Sequence, residues 1–317
     1  MSLEIIKGIE KSRDIGKNVV ATIGTFDGLH RGHQEIIRHL MDASRDNQSP
    51  PIAITFEPHP RVLVTPDEPP LLLSTWEEKV HLFSKYMQGT LLVLEFNRQL
   101  MNLTAEEFVR EFLIEKLNLK RLIVGYDHAF GKNRSGTIND LMELSQAYGF
   151  TLDVVNPVIV GGRPISSSRI RRLIANHNLS QALEMLGHPY PIAGKIEKGI
   201  GLGKKIGYPT ANISLNSRKL LPTEGVYSCR AEYNGDMYRG MMFIGQNNFN
   251  PEQRLSVEVN LFDFERDIYN QTLICYPELY IRENRKYNKT EDLVGQLSKD
   301  KENIMKLFDK GDNSNGN

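Results

Sequence analysis

Two histidines lie beside a glycine-rich turn near the start of the chain. The run 19–23 is apolar and β-branched, and the residues from Gln34 onward have helical periodicity, so the turn joins a buried strand to a helix. His30 and His33 are three apart near the start of that helix, where both side chains can face one anion. Free backbone N–H groups at a helix start attract phosphate. The sequence therefore predicts a phosphate site at this turn.

Hydrogen-bond donors at such a turn suit one kind of phosphate chemistry. They can stabilise charge on the α-phosphate of a nucleoside triphosphate while a nucleophile attacks it and pyrophosphate leaves. Two other interpretations of the histidine pair stay open. One is a zinc site, although helical zinc pairs usually lie four apart and bring further ligands. The other is a pair of ordinary surface histidines on a helix.

Three later segments of the first half carry further polar and aromatic side chains. Residues 55–61, TFEPHPR, follow a predicted strand and form either a proline-shaped loop or a ligand contact. Residues 125–136, GYDHAFGKNRSG, combine aromatic rings, glycines and cations, which suits stacking of a flat ring beside a phosphate. Residues 165–171, ISSSRIR, place hydroxyls at a predicted helix start. One serine could simply cap that helix, whereas three serines followed by arginine favour a second phosphate-binding helix end.

The second half contains a glycine-rich segment, residues 199–212, GIGLGKKIGYPTAN. A dinucleotide-binding fingerprint must open a helix, but the Tyr208-Pro209 pair and the residues after it predict extended or turn structure. A flexible flap over phosphates, with Thr210 and Asn212 as oxygen ligands for Mg²⁺, fits better. Further along, Glu258 and Asn260 share one face of an alternating strand. A glutamate at such a position faces solvent in the usual case, and a catalytic glutamate is the alternative.

Composition excludes several classes of protein. The 317 residues include 39 basic and 39 acidic side chains, so the chain has no net positive charge that would attract nucleic acid or a membrane. Neither is expected as a partner. The sequence has no apolar run of transmembrane length and no secretory leader pattern. Only two cysteines occur, which argues against a disulfide framework. We expect a cytoplasmic protein that is a monomer or a weak homo-oligomer.

The order of predicted elements divides the chain in two. Strands near 52–56, 91–94 and 122–124 alternate with helices that begin near Thr75, Ala105, Thr137 and Ser167. This alternation predicts a doubly wound parallel sheet with ligands at the carboxyl ends of its strands. Strands and turns dominate after residues 187–191, until a last helix from about Thr290 to Asp309. We expect domains at 1–186 and 187–317, the second a β-barrel or sandwich closed by one helix.

These motifs together resemble the bacterial bifunctional riboflavin kinase/FAD synthetase family. The resemblance runs from about Val19 to the last helix and includes, in order, GTFDGLHRGH, TFEPHPR, GYDHAFGKNRSG, ISSSRIR, the flap ending in GYPTAN, and VEVNLFDF. It implies an α/β nucleotidyltransferase domain that adenylylates FMN, followed by a riboflavin kinase β-barrel with a terminal helix. Both activities would use ATP and Mg²⁺. The expected ligands are riboflavin, FMN, FAD, ATP, ADP and pyrophosphate.

The resemblance also assigns expected roles to individual residues. His30, His33 and Glu258 are the expected catalytic residues, with Glu258 as the base of the kinase. The adenylyltransferase would bind ATP and its phosphates through Gly24, Phe26, Asp27, Gly32, Asp127, Ser167, Ser168 and Arg169. It would bind flavin through Phe56, Pro58, His59 and Phe130. The kinase would bind ATP through Gly199, Gly201, Gly203, Lys204, Pro209, Thr210 and Asn212, and Thr210 and Asn212 would hold Mg²⁺.

Three positions depart from the family pattern. Ser168 stands where threonine is frequent, and Asn260 stands where many members have histidine. The loop 244–249, IGQNNF, lacks the arginine-proline-threonine that usually follows its glycine. A second interpretation is therefore a monofunctional adenylyltransferase whose barrel is a flavin-binding or regulatory module. A third is an RNA-related enzyme with a similar histidine turn, but the chain lacks a basic surface signal and a lysine-methionine-serine loop.

Overall fold

The computed structural model describes residues 2–10, 18–132, 135–199, 201–246 and 255–314, and these form two compact units, 1–169 and 170–317. The first unit is built on a six-stranded sheet with the order β1-β4-β3-β2-β5-β6, and every pair in it is parallel. Its strands are β1 (Leu3–Lys7), β2 (Val19–Ile23), β3 (Pro51–Glu57), β4 (Gly89–Glu95), β5 (Leu119–Gly125) and β6 (Thr151–Val155).

Parallel strands need crossover connections, and helices supply those that follow β2, β3, β4 and β5. They are α1 (Arg31–Asn47), α2 (Arg61–Val64), α3 (Trp76–Tyr86), α4 (Arg98–Asn102), α5 (Ala105–Phe108), which continues as a π-helical turn (Val109–Ile114), and α6 (Ile138–Tyr148). A short hairpin of β7 (Ile159–Val160) and β8 (Arg163–Pro164) precedes α7 (Ser167–Ala175). The doubly wound parallel sheet predicted from the sequence is confirmed.

Alternation along the strands gives the sheet two buried faces. On β2, Val19, Ala21 and Ile23 pack into one apolar cluster, whereas Val20 packs into another on the opposite face. Helices α3, α5 and α6 each begin with a capping box at Thr75, Thr104 and Thr137. In each box the threonine hydroxyl accepts a backbone amide hydrogen bond, and an acidic side chain three residues later accepts the threonine backbone amide. These caps explain why helix starts were predictable at those residues.

The second unit is built on a closed six-stranded antiparallel barrel with the order β10-β13-β12-β11-β14-β9, and β9 pairs with β10 to complete it. Its strands are β9 (Ile192–Glu197), β10 (Ala211–Ile213), β11 (Gly225–Tyr233), β12 (Asp236–Gln246), β13 (Leu255–Leu261) and β14 (Thr272–Arg282). The helices of this unit include α8 (Leu179–Leu186), the single turn α9 (Leu202–Lys205) and α10 (Thr290–Ser314).

The terminal helix packs on the barrel and extends beyond its predicted end at Asp309. Ile304 and Phe308 of α10 form an apolar cluster with Met241 and Phe262. Arg282, at the end of β14, donates to both carboxylate oxygens of buried Asp300 on the same helix. No helix among the described residues is long and apolar enough to cross a membrane.

Candidate active sites

The histidine turn lies at the carboxyl end of β2, directly before α1. His30 caps α1, because its Nδ1 accepts the backbone amide of His33 at 3.4 Å. The sequence predicts His30 on the first helical turn. In the structure it is the cap residue directly before that turn. The two imidazole rings stack with 3.6 Å between centroids and 15° between planes. The expectation that both side chains share one side of the helix start is confirmed.

Burial keeps the His33 ring neutral. The pKa of His33 lies well below 6.5, first because burial disfavours the charged form and then because His30 and Lys79 add positive charge nearby. Its Nδ1 is buried and has no hydrogen-bond partner among the described residues. A neutral imidazole that carries its proton on such a nitrogen is a donor for a ligand oxygen. No cluster of three or more metal-binding side chains is found in the described part of the chain.

Glycines allow the turn to pack tightly around these rings. A Cβ atom added at Gly32 would lie 3.2 Å from the His30 ring, and one at Gly24 would lie 3.1 Å from the Phe26 ring. Phe26 is buried and meets His33 edge to face at 5.4 Å between centroids. The glycines thus let aromatic side chains fold back on the turn and support the histidines.

Asp27 and Ser167 hold neighbouring backbone in the structure. The buried Asp27 carboxylate accepts amide hydrogen bonds from Leu73 at 3.1 Å and Ser74 at 2.9 Å, and it therefore anchors the segment before α3. The Ser167 hydroxyl, at the start of α7, donates to the Asp27 carbonyl oxygen at 3.1 Å. The second predicted helix end is thus brought next to the histidine turn.

The remaining predicted site residues of the first unit have different surroundings. Ser168 and Asp127 are exposed. The Arg169 guanidinium donates to carbonyl oxygens of the β7–β8 hairpin, including that of Val160 at 2.8 Å, and so holds the hairpin against α7. Two of the residues expected to bind flavin are aromatic and pack on other rings, Phe56 on Phe96 and Phe130 on Phe108. The other two lie just after β3, where Pro58 follows the strand and the His59 Nδ1 accepts the Arg61 amide.

One residue that the sequence analysis missed lies beside the histidines. Lys79 is on α3 and is only 3% exposed, although lysine is almost never buried without a partner. Burial lowers the pKa of its ammonium, while the carboxylates of Asp27 and Glu57 act in the opposite direction. No motif identified Lys79, because an isolated lysine in an amphipathic helix looks like any exposed cation.

The barrel contains a cavity of about 260 Å³ that joins the glycine-rich segment to β13. Thr210 donates a hydrogen bond to the Glu258 carboxylate at 3.2 Å, and Asn212 is paired in register with Glu258 across β10 and β13. Asn260 is buried and donates to the Pro209 carbonyl oxygen at 2.7 Å. All of Thr210, Asn212, Glu258 and Asn260 line the cavity, so Glu258 faces a concave, half-buried site.

The glycine-rich segment bends around that cavity. Gly199, Gly201 and Gly203 line it, whereas Lys204 is exposed on α9 and is not among the lining residues. Within the predicted flap, Leu202–Lys205 form one helical turn. That turn ends before Gly207, and β10 follows, so no long helix opens here as a dinucleotide fingerprint would need.

Side chains that no motif marked complete the cavity. The end of β14 contributes Arg282, the segment after it contributes Arg285 and Tyr287, and β12 contributes Met241, Met242 and Phe243. In sequence, the charged residues after β14 resemble an ordinary solvated turn. The atypical loop 244–249 is described only through Gln246, and its residues 247–249 lie outside the described residues.

Comparison with known proteins gives concordant results for both units. Residues 12–169 match a family model described as FAD synthetase, and residues 186–308 match one described as riboflavin kinase. The chain is 33% identical over 96% of its length to a bifunctional riboflavin kinase/FMN adenylyltransferase of Buchnera aphidicola, and it covers 98% of that protein. It is 34% identical over 92% of its length to the bifunctional enzyme of Bacillus subtilis, 93% of which is covered.

A solved structure resembles the whole chain. It is described as a macrolide-efflux protein from Streptococcus pneumoniae, with 33% identity, a TM-score of 0.81, and coverage of 95% of this chain and 98% of that one. The curated relatives match at similar identity and coverage and carry the names of both enzymatic activities. The chain therefore belongs to the bifunctional riboflavin kinase/FMN adenylyltransferase family.

Proposed function

We infer that this chain makes FAD from riboflavin in two steps that use opposite ends of ATP. Riboflavin is first phosphorylated to FMN, and FMN is then adenylylated to FAD with release of pyrophosphate. The full-length identity of about one third to curated bifunctional relatives carries this conclusion. The two candidate sites, each in its own compact unit, support it.

For adenylylation, we propose that the FMN phosphate attacks the α-phosphorus of ATP. FMN phosphate is already an anion and needs no general base. The His30 ring and the neutral His33 ring would donate hydrogen bonds to the phosphate oxygens as charge accumulates, and the start of α1 favours the same charge. Ser167, Ser168 and Arg169 at the start of α7 would help to hold the departing pyrophosphate, and the Asp27 carbonyl oxygen links that helix start to the histidine turn by accepting the Ser167 hydroxyl.

For phosphorylation, we propose that Glu258 accepts the proton of the ribityl 5′-hydroxyl as that oxygen attacks the γ-phosphorus of ATP. Thr210 holds the Glu258 carboxylate through its hydrogen bond, and the cavity surrounds it. The glycine segment would contact the phosphates through backbone N–H groups, and ADP would leave. Asn260 fixes the turn before β10 by binding the Pro209 carbonyl oxygen.

Mg²⁺ is the metal that the donor atoms near Glu258 would suit. Thr210, Asn212 and Glu258 offer hydroxyl, amide and carboxylate oxygens, the hard ligands that Mg²⁺ prefers. We propose that Thr210 and Asn212 hold Mg²⁺ together with the ATP phosphates. The ion would supply positive charge that offsets the negative charge of the phosphates during transfer.

Product analysis tests the function directly. The protein would be mixed with riboflavin, ATP and Mg²⁺, and the flavins would be separated by chromatography. We expect FMN to appear first and FAD to follow. FAD formed only from supplied FMN would identify a monofunctional adenylyltransferase, and the absence of both products would reject the proposal.

We further propose that the functional boundary lies between residues 186 and 187, so that 1–186 and 187–317 are the two domains. A fragment that begins at Gly187 should fold and phosphorylate riboflavin without making FAD. This fragment keeps buried Tyr190, whose hydroxyl donates to the Leu220 carbonyl oxygen at 2.7 Å. A folded, soluble fragment that makes no FMN would contradict an autonomous kinase domain.

The cellular setting is also a proposal. Cys229 and Cys275 are both buried and free, and burial raises the pKa of each thiol, which suits a reducing compartment. We propose that the enzyme acts in the cytoplasm as a monomer or weak homo-oligomer, without a nucleic-acid or membrane partner. Sedimentation over a range of protein concentrations would measure the assembly state.

A further inference from the structure

Lys79 is a buried lysine on α3 whose ammonium takes no part in the hydrogen bonds that cap that helix. Its side chain is 3% exposed, and no hydrogen bond or ion pair of its ammonium is found within the described parts of the chain. A lysine in this state has lost hydration without gaining a direct counterion, which is costly unless an anion binds. The position therefore requires an explanation that packing alone does not give.

The acidic side chains around Lys79 already serve other groups. The neighbouring Glu78 carboxylate accepts the Thr75 amide at 2.8 Å and closes the capping box of α3. The Asp27 carboxylate accepts the Leu73 and Ser74 amides. Asp27 and Glu57 act on Lys79 electrostatically, but neither forms an ion pair with it in the described residues. The ammonium thus keeps its capacity to bind a further anion.

The helix that carries Lys79 packs on the histidine turn, because Phe83 of α3 meets Phe26 edge to face with 5.4 Å between ring centroids. Lys79 also lies within electrostatic reach of His33. Its positive charge contributes to the lowered pKa of His33, after burial and the charge of His30. The His33 Nδ1 is buried and without a hydrogen-bond partner in the described residues. Three features that favour an anion therefore meet here: the ammonium, the imidazole and the start of the long helix α1.

We propose that Lys79 binds a phosphate oxygen of the reacting nucleotides in the adenylylation site, beside His33. The ammonium neutralises phosphate charge that a neutral His33 ring cannot neutralise. This role rests on the proposed FMN adenylylation. The phosphate belongs either to the triphosphate of ATP or to FMN, and the kinetic experiment distinguishes the two sources.

Lys79→Met tests the proposal, because it removes the charge and keeps most of the apolar stem. The reverse reaction, in which FAD and inorganic pyrophosphate yield FMN and ATP, gives the KM for pyrophosphate. The forward reaction gives the KM for FMN. Loss of a charge-assisted hydrogen bond should raise one of these constants by about 10- to 100-fold. A higher KM for pyrophosphate assigns Lys79 to the triphosphate, and a higher KM for FMN assigns it to the flavin phosphate.

Two controls separate binding from folding. Lys85→Met removes an exposed lysine from the same helix and should change neither constant. Riboflavin phosphorylation by the same Lys79→Met protein should stay at the wild-type rate. Should that variant fail to fold, Lys79→Gln provides a polar replacement, and failure of both to fold would identify a structural lysine and overturn the proposal.

Kinetic constants for Lys79→Met within twofold of wild type would also overturn it. That result would leave the proposed function intact, since wild-type FAD formation is measured in the same experiment. An inactive wild-type protein would instead reject the function itself.

Discussion

The histidine turn and the barrel cavity hold their reactive groups by different means. His30 and His33 lie at one helix start, where a cap, a ring stack and close-packed glycines fix both rings. Glu258 lies on a strand, and its partners Thr210 and Asn212 come from another strand and from the segment before it. The first site is determined by local sequence and the second by strand pairing. Substitutions should therefore act on the two reactions separately, and the following experiments test this.

The largest expected effect is that of Glu258→Gln on the kinase reaction. This change keeps the shape of the side chain and removes its ability to accept a proton. Riboflavin phosphorylation should fall by about 10²- to 10⁴-fold. Steady-state assays of both half-reactions at saturating ATP and Mg²⁺ measure this, and adenylylation of supplied FMN should be unchanged. Near-normal FMN production would remove Glu258 from the mechanism.

The next largest effect is expected at the histidines. His30→Ala or His33→Ala should slow FAD formation by about 10²- to 10³-fold, the usual loss for one preorganised donor, and FMN should accumulate. His39→Ala, on the exposed side of α1, is the matched control and should leave both rates unchanged. Equal loss of both activities in a folded variant would show that the two sites are not independent.

A smaller effect is expected when a glycine of the segment 199–212 is replaced by alanine. A Cβ atom at residue 203 would lie 2.3 Å from the Tyr208 carbonyl oxygen, so Gly203→Ala must displace the backbone before Thr210. Overpacking of this kind costs about 1–3 kcal/mol of folding stability, and the displaced segment should also raise the KM for ATP of the kinase. Titration of the kinase with ATP measures this change.

Gly295→Ala is the control for that substitution. Nothing lies within 4 Å of the added Cβ atom in α10, so kinase activity should stay the same while the unfolding free energy rises by about 0.5–1 kcal/mol. A wild-type KM for ATP in Gly203→Ala would show that the segment is not shaped around the nucleotide.

The smallest effect is a pH dependence of stability in the first unit. The pKa of folded His33 lies below 6.5, so the unfolded chain binds that proton more readily. Stability from this group is complete above about pH 6.5 and is lost as pH falls toward the folded pKa, by at most about 1.4 kcal/mol per pH unit. Hydrogen exchange of β2 amides should show a shallower decline in His33→Gln. Identical slopes in both proteins would contradict the burial of the ring.

Local patterns explain which features were predictable from the sequence. Thr75 and Thr137 begin helices because their hydroxyls cap them, and Val19–Ile23 forms a strand because its apolar run is buried on both faces. Glu258 and Asn260 share the cavity because side chains on one strand alternate in direction. In each case the information lies within a few neighbouring residues.

Features that depend on distant contacts were not predictable. Lys79 is buried near the carboxylates of Asp27 and Glu57, which are distant in sequence, and Arg282 is held by Asp300 from a different element. The hairpin that Arg169 holds has no strand pattern, since each strand contains only two residues.

The pairing of Asn212 with Glu258 has a consequence for how this barrel tolerates changes in length. Inserting or deleting one residue within β10 or β13 would turn one of these side chains to the opposite face, because strand side chains alternate with a period of two. A change of two residues would restore the direction. Natural variation in loop length should therefore accumulate outside these two strands, and a single-residue deletion between Val257 and Asn260 should abolish FMN synthesis even where the barrel still closes.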